Sequence, residues 1–300
     1  MTKKFMMIAT IICCATICWG QESGLDKIDF NKSAVANINN IKAIEAGMKY
    51  VNQSAYKTAT KNITAGGYYI SIVETTNNIY NAFLKDLKNN GLDDIYNTCK
   101  VDGEGWMRIS EAFESTAKTY HTDAKWNEYP VVNITKEAAE TFCLWLTKLY
   151  AAYGSAKYNN AEFRLPAENE WIVAAAGGVE NAIYPWDGKF LRNKKGEWNS
   201  NFRIAGEENI RLNKESGNIE ILDNNVLYQT ALVPVRTFAP NKYGIFQMAG
   251  NAAEMTSDGK VKGGSWHSYG YYMQIAADDE PGIDKLPNAY TGFRIVMTVR

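Results

Sequence analysis

The side chains in this sequence that could do nucleophilic, redox or metal chemistry are few: five cysteines, two histidines and a short serine cluster. Three thiols, Cys13, Cys14 and Cys18, fall in an apolar N-terminal stretch, which leaves Cys99 and Cys143. In an oxidising compartment these two could form one disulfide. Cys143 also sits on the apolar stripe of a helical pattern, where a buried free thiol is the alternative. His121 and His267 are far apart in the chain, a pattern more typical of hydrogen-bonded or surface residues than of a metal site. Ser265, His267 and Ser268 are neighbours, but no nucleophile elbow surrounds them.

The elements that must position these groups begin after residue 20. Lys3 and Lys4 precede an apolar run from Phe5 to Trp19, followed by Gly20-Gln21. Residues 1–20 therefore read as a cleavable signal peptide, and an exported protein is expected. The run is about 15 residues, short of the ~20 that a spanning helix needs. A lipid anchor on one of its cysteines is the competing reading, disfavoured because each is preceded by Ile or Cys. No other stretch approaches membrane length, so no transmembrane segment is expected in the mature chain. Net charge is −1 for the whole chain and falls by two when Lys3 and Lys4 are removed. That weak acidic balance leaves no footprint for nucleic acid.

Residues 21–47 are rich in Asn and Lys. Ile38, Ile41, Ile44 and Met48 recur at helical spacing, which predicts a helical lead-in to a domain over 48–300. Tyr68 to Val73 reads as a strand, and Thr75-Thr76-Asn77 caps a helix with Ile79, Phe83 and Leu87 on one face. Thr135 caps a longer helix whose stripe of Ala138, Phe142, Trp145 and Leu149, flanked by Ala139, Cys143, Leu146 and Tyr150, is wide enough for a core. A third helix is expected from about Pro166 to Gly177-Gly178, then mostly loops, then a closing strand over Gly292 to Val299. The pattern predicts a mixed α+β domain whose loop-rich half needs polar side chains, turns or a bound cation to satisfy its backbone.

Four segments in order carry a resemblance. They are Tyr68–Asn77 (YYISIVETTN), Tyr129–Leu146 (YPVVNITKEAAETFCLWL), Phe163–Trp171 (FRLPAENEW) and Asn241–Met255 (NKYGIFQMAGNAAEM), followed by GGSW at Gly263–Trp266 and GFR at Gly292–Arg294. Together they resemble the formylglycine-generating-enzyme (sulfatase-modifying factor) family, a loop-rich variant of the C-type lectin fold with a few helices and short mixed or antiparallel strands. That fold serves oxidases, sulfur-chemistry enzymes and plain binding proteins, so function must be argued from the site.

The resemblance implies a copper-binding cysteine pair in the sulfatase-activating members. Counted from Gly263–Trp266, those positions fall on Ser268 and Met273, neither of which offers the thiolate that copper(I) needs. No copper or iron is expected, because the sulfoxide-synthase branch takes iron from histidines in an added helical domain that has no counterpart before these motifs. The resemblance also implies calcium. Gln247, Gly250, Ala252 and Glu254 fall on one family site, with Gln247 standing where Asp or Asn is usual; Asn201, Phe202, Asp223 and Asn225 fall on a second. Hard Ca²⁺ suits such an all-oxygen set. Arg164 and Glu170 read as a charged brace, and Arg294 as another near the terminus.

The segment after GGSW, with His267, Ser268, Tyr269, Tyr271 and Tyr272, is the expected ligand-binding face. Tyrosine offers large contact area at low entropy cost, and Ser and Gly adapt around it. The reading is an exported, non-catalytic binding or scaffolding domain whose partner is a glycan or an envelope protein. Its Asn-rich composition suits a Bacteroidetes-type periplasmic, cell-surface or secreted protein, with gliding- or secretion-associated complexes as one specific version. The alternative is a metal-dependent oxidoreductase of the formylglycine-generating or sulfoxide-synthase type with a rearranged site.

Overall fold

A computed structural model describes residues 24–52, 54–57, 62–158, 160–204, 210–214, 216–217, 219–221, 231–285 and 287–299. The segment read as a signal peptide lies outside these residues, as do Asp223 and Asn225. In chain order the helices are α1 (Ala34–Ala46), α2 (Asn77–Asn89), α3 (Asp93–Cys99), α4 (Glu114–Thr119), α5 (Lys136–Tyr153) and α6 (Glu168–Ala176). The strands are β1 (Met48–Val51), β2 (Ser54–Lys57), β3 (Asn62–Ala65), β4 (Tyr68–Ser71), β5 (Ala161–Arg164), β6 (Ile210–Leu212), β7 (Ile219–Ile221), β8 (Ala253–Met255), β9 (Val261–Lys262), β10 (Thr291–Gly292) and β11 (Val296–Val299). None of the described helices is long and apolar enough to cross a membrane.

The main sheet has the order β1-β4-β11-β5, every pairing antiparallel. The last strand is thus an inner one, flanked by strands from the first and middle parts of the chain. Side chains alternate along β4, with Tyr68 and Ile70 buried and Tyr69 and Ser71 half-buried, as period-2 geometry requires. A smaller sheet, β10-β8-β9, carries the loop-rich half; β10 runs parallel to β8 and β9 antiparallel to it. The hairpins β2-β3 and β6-β7 stand apart from both.

The long helix α5 forms where its stripe predicts. Thr135 Oγ1 accepts from Ala138 N at 3.1 Å, the N-cap bond, and all eight stripe residues are buried. Each fully buried large apolar side chain among them contributes about 1.5–3 kcal/mol, which anchors the helix under the sheet far more firmly than its cap does. Tyr80 and Phe83 of α2 pack with Phe142 and Phe293 as a ring cluster in the same core. A second core joins α6 and Ile70 to Ile245 and Met248, and a third gathers Trp106, Tyr120 and Trp266.

Several elements differ from the sequence expectation: α1 ends at Ala46, so Met48 opens β1 instead of closing the helical series, and β4 ends at Ser71, not Val73. α6 starts at Glu168, not Pro166, because Glu170 Oε2 turns back to accept from Ala167 N at 2.8 Å and sets the helix start there. The closing strand is two strands, β10 and β11, separated by Phe293-Arg294-Ile295. At this break the backbone runs beside the exit of β4: Ser71 N bonds Ile295 O and Thr75 N bonds Phe293 O, both at 2.9 Å. That juxtaposition brings Glu74 and Arg294 to one place.

Candidate functional site

The loop from Asn241 to Met255 is built on backbone conformations that few residues tolerate. Gln247, Gly250 and Asn251 have φ of 47°, 74° and 61°. At Gly250 a Cβ would lie 2.0 Å from Ser200 Oγ and 2.4 Å from Asn201 O, so only glycine lets the two loops touch. The contact is held by Asn251 N donating to Asn201 O at 2.8 Å, by Ser200 Oγ donating to Ala249 O, and by Asn201 Nδ2 donating to Ala231 O at 3.2 Å.

Inside this loop lies a buried charged cluster. Arg294 Nε and Nη2 donate to the two oxygens of Glu254 at 2.7 and 2.6 Å, and Trp171 Nε1 donates to Glu254 Oε2 at 2.7 Å. The remaining guanidinium donors reach Ser71 O at 2.9 Å and Phe246 O at 3.0 Å. Glu74 is the second carboxylate. It accepts from Gln247 Nε2 at 2.9 Å, from Asn251 Nδ2 at 3.1 and 3.2 Å, and from Ala252 N at 3.1 Å. Asn251 also clasps Val233, accepting from its N at 2.9 Å and donating to its O at 3.1 Å. Burial, and then the nearby Glu254 charge, push the Glu74 carboxyl up to about 8, against the pull of Arg294 and the amides.

Of the residues expected at the first calcium site, Gln247 and Ala252 meet Glu74 and Glu254 meets Arg294, while Gly250 lies against Ser200 and Asn201. Gln247 Oε1 is buried and has no hydrogen-bond partner among the described residues. Both Glu254 oxygens are engaged by Arg294 and Trp171, so a cation here would share that carboxylate with the guanidinium. At the second site Asn201 turns its backbone carbonyl to Asn251 N, and Phe202 is buried against Trp198 with ring centroids 5.2 Å apart. Its other two residues lie outside the described chain.

Ser268 and Met273 are both fully buried. Ser268 Oγ accepts from Ser265 N at 2.9 Å, sits 3.0 Å from Ser265 Oγ and hydrogen-bonds Glu280, whose carboxyl is pushed up chiefly by burial. Met273 packs with Tyr184, Phe202 and Ala249. Of the expected ligand-binding residues, Tyr271 is 58% exposed. His267, Tyr269 and Tyr272 are half-buried: His267 stacks on Tyr290 at 5.1 Å, the Arg203 guanidinium lies 4.9 Å from the Tyr269 ring, and Tyr272 meets Tyr271 edge-on at 5.2 Å. Trp266 belongs to the core, stacked on Trp106 at 6.0 Å.

Cys99 and Cys143 are free and buried, which decides between the two sequence alternatives. Burial pushes the Cys99 thiol up to about 11 and the Cys143 thiol higher still, so neither supplies a thiolate at neutral pH. His121 is buried between Asn77 Oδ1, 3.1 Å from its Nδ1, and Asn133 Nδ2, 3.4 Å from its Nε2. Burial lowers it to about 3, so it stays neutral. Arg164 donates two bonds of 2.7 Å to Glu170, the geometry of a brace. Sequence reasoning did not assign Glu74 to the site. The signal available was an acid in an otherwise apolar strand exit, Val73-Glu74-Thr75.

The fold and this cluster define a loop-rich α+β domain organised around a buried carboxylate–guanidinium frame, with Ser268 and Met273 buried in the loop after Gly263–Trp266. The family model of the sulfatase-modifying factor enzyme 1-like domain matches residues 27–299, and the chain belongs to that family. The match takes in α1, the expected lead-in. The chain is 29% identical over 131 residues to the inactive Cα-formylglycine-generating enzyme 2 of Bos taurus, covering 43% of this chain and 33% of that protein. It is 29% identical over 130 residues to the formylglycine-generating enzyme of Thermomonospora curvata, again 43% and 33%. The chain thus spans about a third of the length of these curated relatives. Among solved structures, Treponema denticola variable protein 1 superposes with a TM-score of 0.52 at 17% identity, covering 83% of this chain and 94% of that one. CarF gives 0.53 at 17%, covering 84% and 98%. Both share the fold.

Proposed function

We propose that this protein is a non-catalytic binding or scaffolding member of its family. The observation that carries the reading is the state of Ser268 and Met273, a hydrogen-bonded hydroxyl and a packed thioether at the two positions where the family resemblance implies copper-binding cysteines. Copper(I) is held by soft thiolates, and the described free thiols, Cys99 and Cys143, are buried and protonated within another core. The similarity to an inactive relative shows that such members exist among the proteins this chain resembles.

The binding face of this reading is the loop around Tyr271, with Tyr269, Tyr272 and His267 beside it, and its partner is a glycan or an envelope protein of the compartment to which the chain is exported. A calcium ion belongs to the proposal as well, held by Gln247, Gly250, Ala252 and Glu254. The support for it is the buried, unpartnered Gln247 Oε1 beside the carboxyl groups of Glu74 and Glu254. There the ion would displace the Glu74 proton and supply loop rigidity, not chemistry. Elemental analysis of protein purified without chelator tests both parts: stoichiometric calcium without copper or iron supports them, and stoichiometric copper or iron overturns the non-catalytic reading. Tyr271→Ala tests the face; unchanged retention on a glycan or envelope-protein array would sink it.

A further inference from the structure

A cavity of about 190 Å³ lies between α1, the exit of β4, the start of α2 and the segment around Val235. Its walls combine apolar side chains, among them Ile44, Ile79, Phe142 and Ile295, with neutral polar ones such as Asn40 and Asn78 and with the buried carboxyl of Glu74. Two of its lining residues, Glu128 and Arg236, carry opposite charges and are exposed to solvent. A backbone bond fixes them near each other, since Val235 N donates to Glu128 O at 2.9 Å. Even so, neither is ion-paired with the other or with any other charge among the described residues. Arg236 instead lies over the Phe246 ring at 5.1 Å, within cation–π range.

From this arrangement we infer a small-molecule site that takes a free aliphatic α-amino acid, with its side chain in the apolar cavity, its carboxylate on Arg236 and its ammonium on Glu128. The volume excludes large ligands and admits a branched aliphatic side chain. Apolar contact area combined with a small number of orienting charged groups is the usual make-up of such sites. A planar guanidinium binds a carboxylate through two parallel N–H bonds, and a free carboxylate accepts from an ammonium. The third ionisable lining group, Glu74, already accepts from Gln247, Asn251 and Ala252. Of the two solvent-facing charges, a fatty acid would leave Glu128 unmatched and an alkylamine Arg236, whereas the zwitterion matches both. None of the lining residues belongs to the tyrosine loop, so this site stands or falls independently of the proposed binding face.

The test is calorimetric titration of the whole purified protein with leucine, N-acetyl-leucine, leucine amide and 4-methylpentanoate. Leucine is expected to bind, with each of the three analogues weaker by about tenfold or more through loss of one charged contact. Glu128→Gln and Arg236→Gln are surface changes that should leave the fold intact. Each should weaken leucine by a similar factor, and Glu128→Gln should also erase the preference for leucine over N-acetyl-leucine. No heat with leucine, valine, isoleucine or methionine up to about 10 mM would overturn the inference, since even millimolar affinity would be visible. So would equal binding of leucine and its analogues, or binding unchanged in both variants.

Discussion

Glu254 and Arg294, forty residues apart in the chain, form a two-bond ion pair of 2.6 and 2.7 Å at 1% and 0% exposure. The pairing follows from β10 lying parallel to β8 with Gly292 opposite Glu254, which delivers Arg294 just beyond the end of the small sheet. The guanidinium then links that sheet to β4 through Ser71 O and to the Asn241–Met255 loop through Phe246 O.

Removing one partner leaves the other buried and uncompensated. Arg294→Met is therefore expected to cost about 3–5 kcal/mol in urea unfolding, with Glu254→Gln in the same direction. The double change Glu254→Leu with Arg294→Met should cost clearly less than the sum of the single changes. Additive losses would show that the pair is not a unit.

Glu74 makes stability depend on pH in a specific window. Its carboxyl sits at about 8 in the folded protein against an ordinary value of 4.5, so the folded state holds a proton that the unfolded chain has released. The contribution is fully present below about 4.5 and is lost as pH rises toward about 8. In chelator-treated protein, Glu74→Gln should flatten the fall in stability between these limits relative to wild type. Parallel pH profiles of the two proteins, measured by denaturant midpoints, would contradict this.

Gly250→Ala should destabilise by about 2 kcal/mol or more, because the added methyl meets both a strained positive φ and the Ser200–Asn201 backbone. Gly259→Ala is the comparison. It shares the positive φ, at 81°, but nothing lies within 4 Å of its Cβ, so its cost should be only about 1 kcal/mol. Equal melting temperatures for the two variants would remove the steric argument.

The thiols of Cys99 and Cys143 should react with a thiol reagent at least about 100-fold more slowly in the folded protein than in urea, since they are buried and protonated. Cysteine-to-serine changes at either position should leave no mark on non-reducing gels. A mobility shift on reduction would point to a disulfide instead.

Local pattern was enough for the elements with strong periodicity. The α5 stripe, its Thr135 cap and the alternation in β4 are written in neighbouring residues, because burial of one face depends only on spacing. Motif order was likewise enough for the family and the α+β class. The hairpins β2-β3 and β6-β7 carry no such strong pattern and went unread. The role of Glu74 could not be read at all. Its partners Gln247, Asn251 and Ala252 lie more than 170 residues away, and the two stretches meet through the backbone bond from Phe246 N to Ile72 O and the antiparallel insertion of β11 beside β4. Sequence determined which side chains could be buried; the tertiary structure decided which buried charges face one another. Coulombic and hydrogen-bond energies depend on distances of a few ångströms, which chain order does not encode.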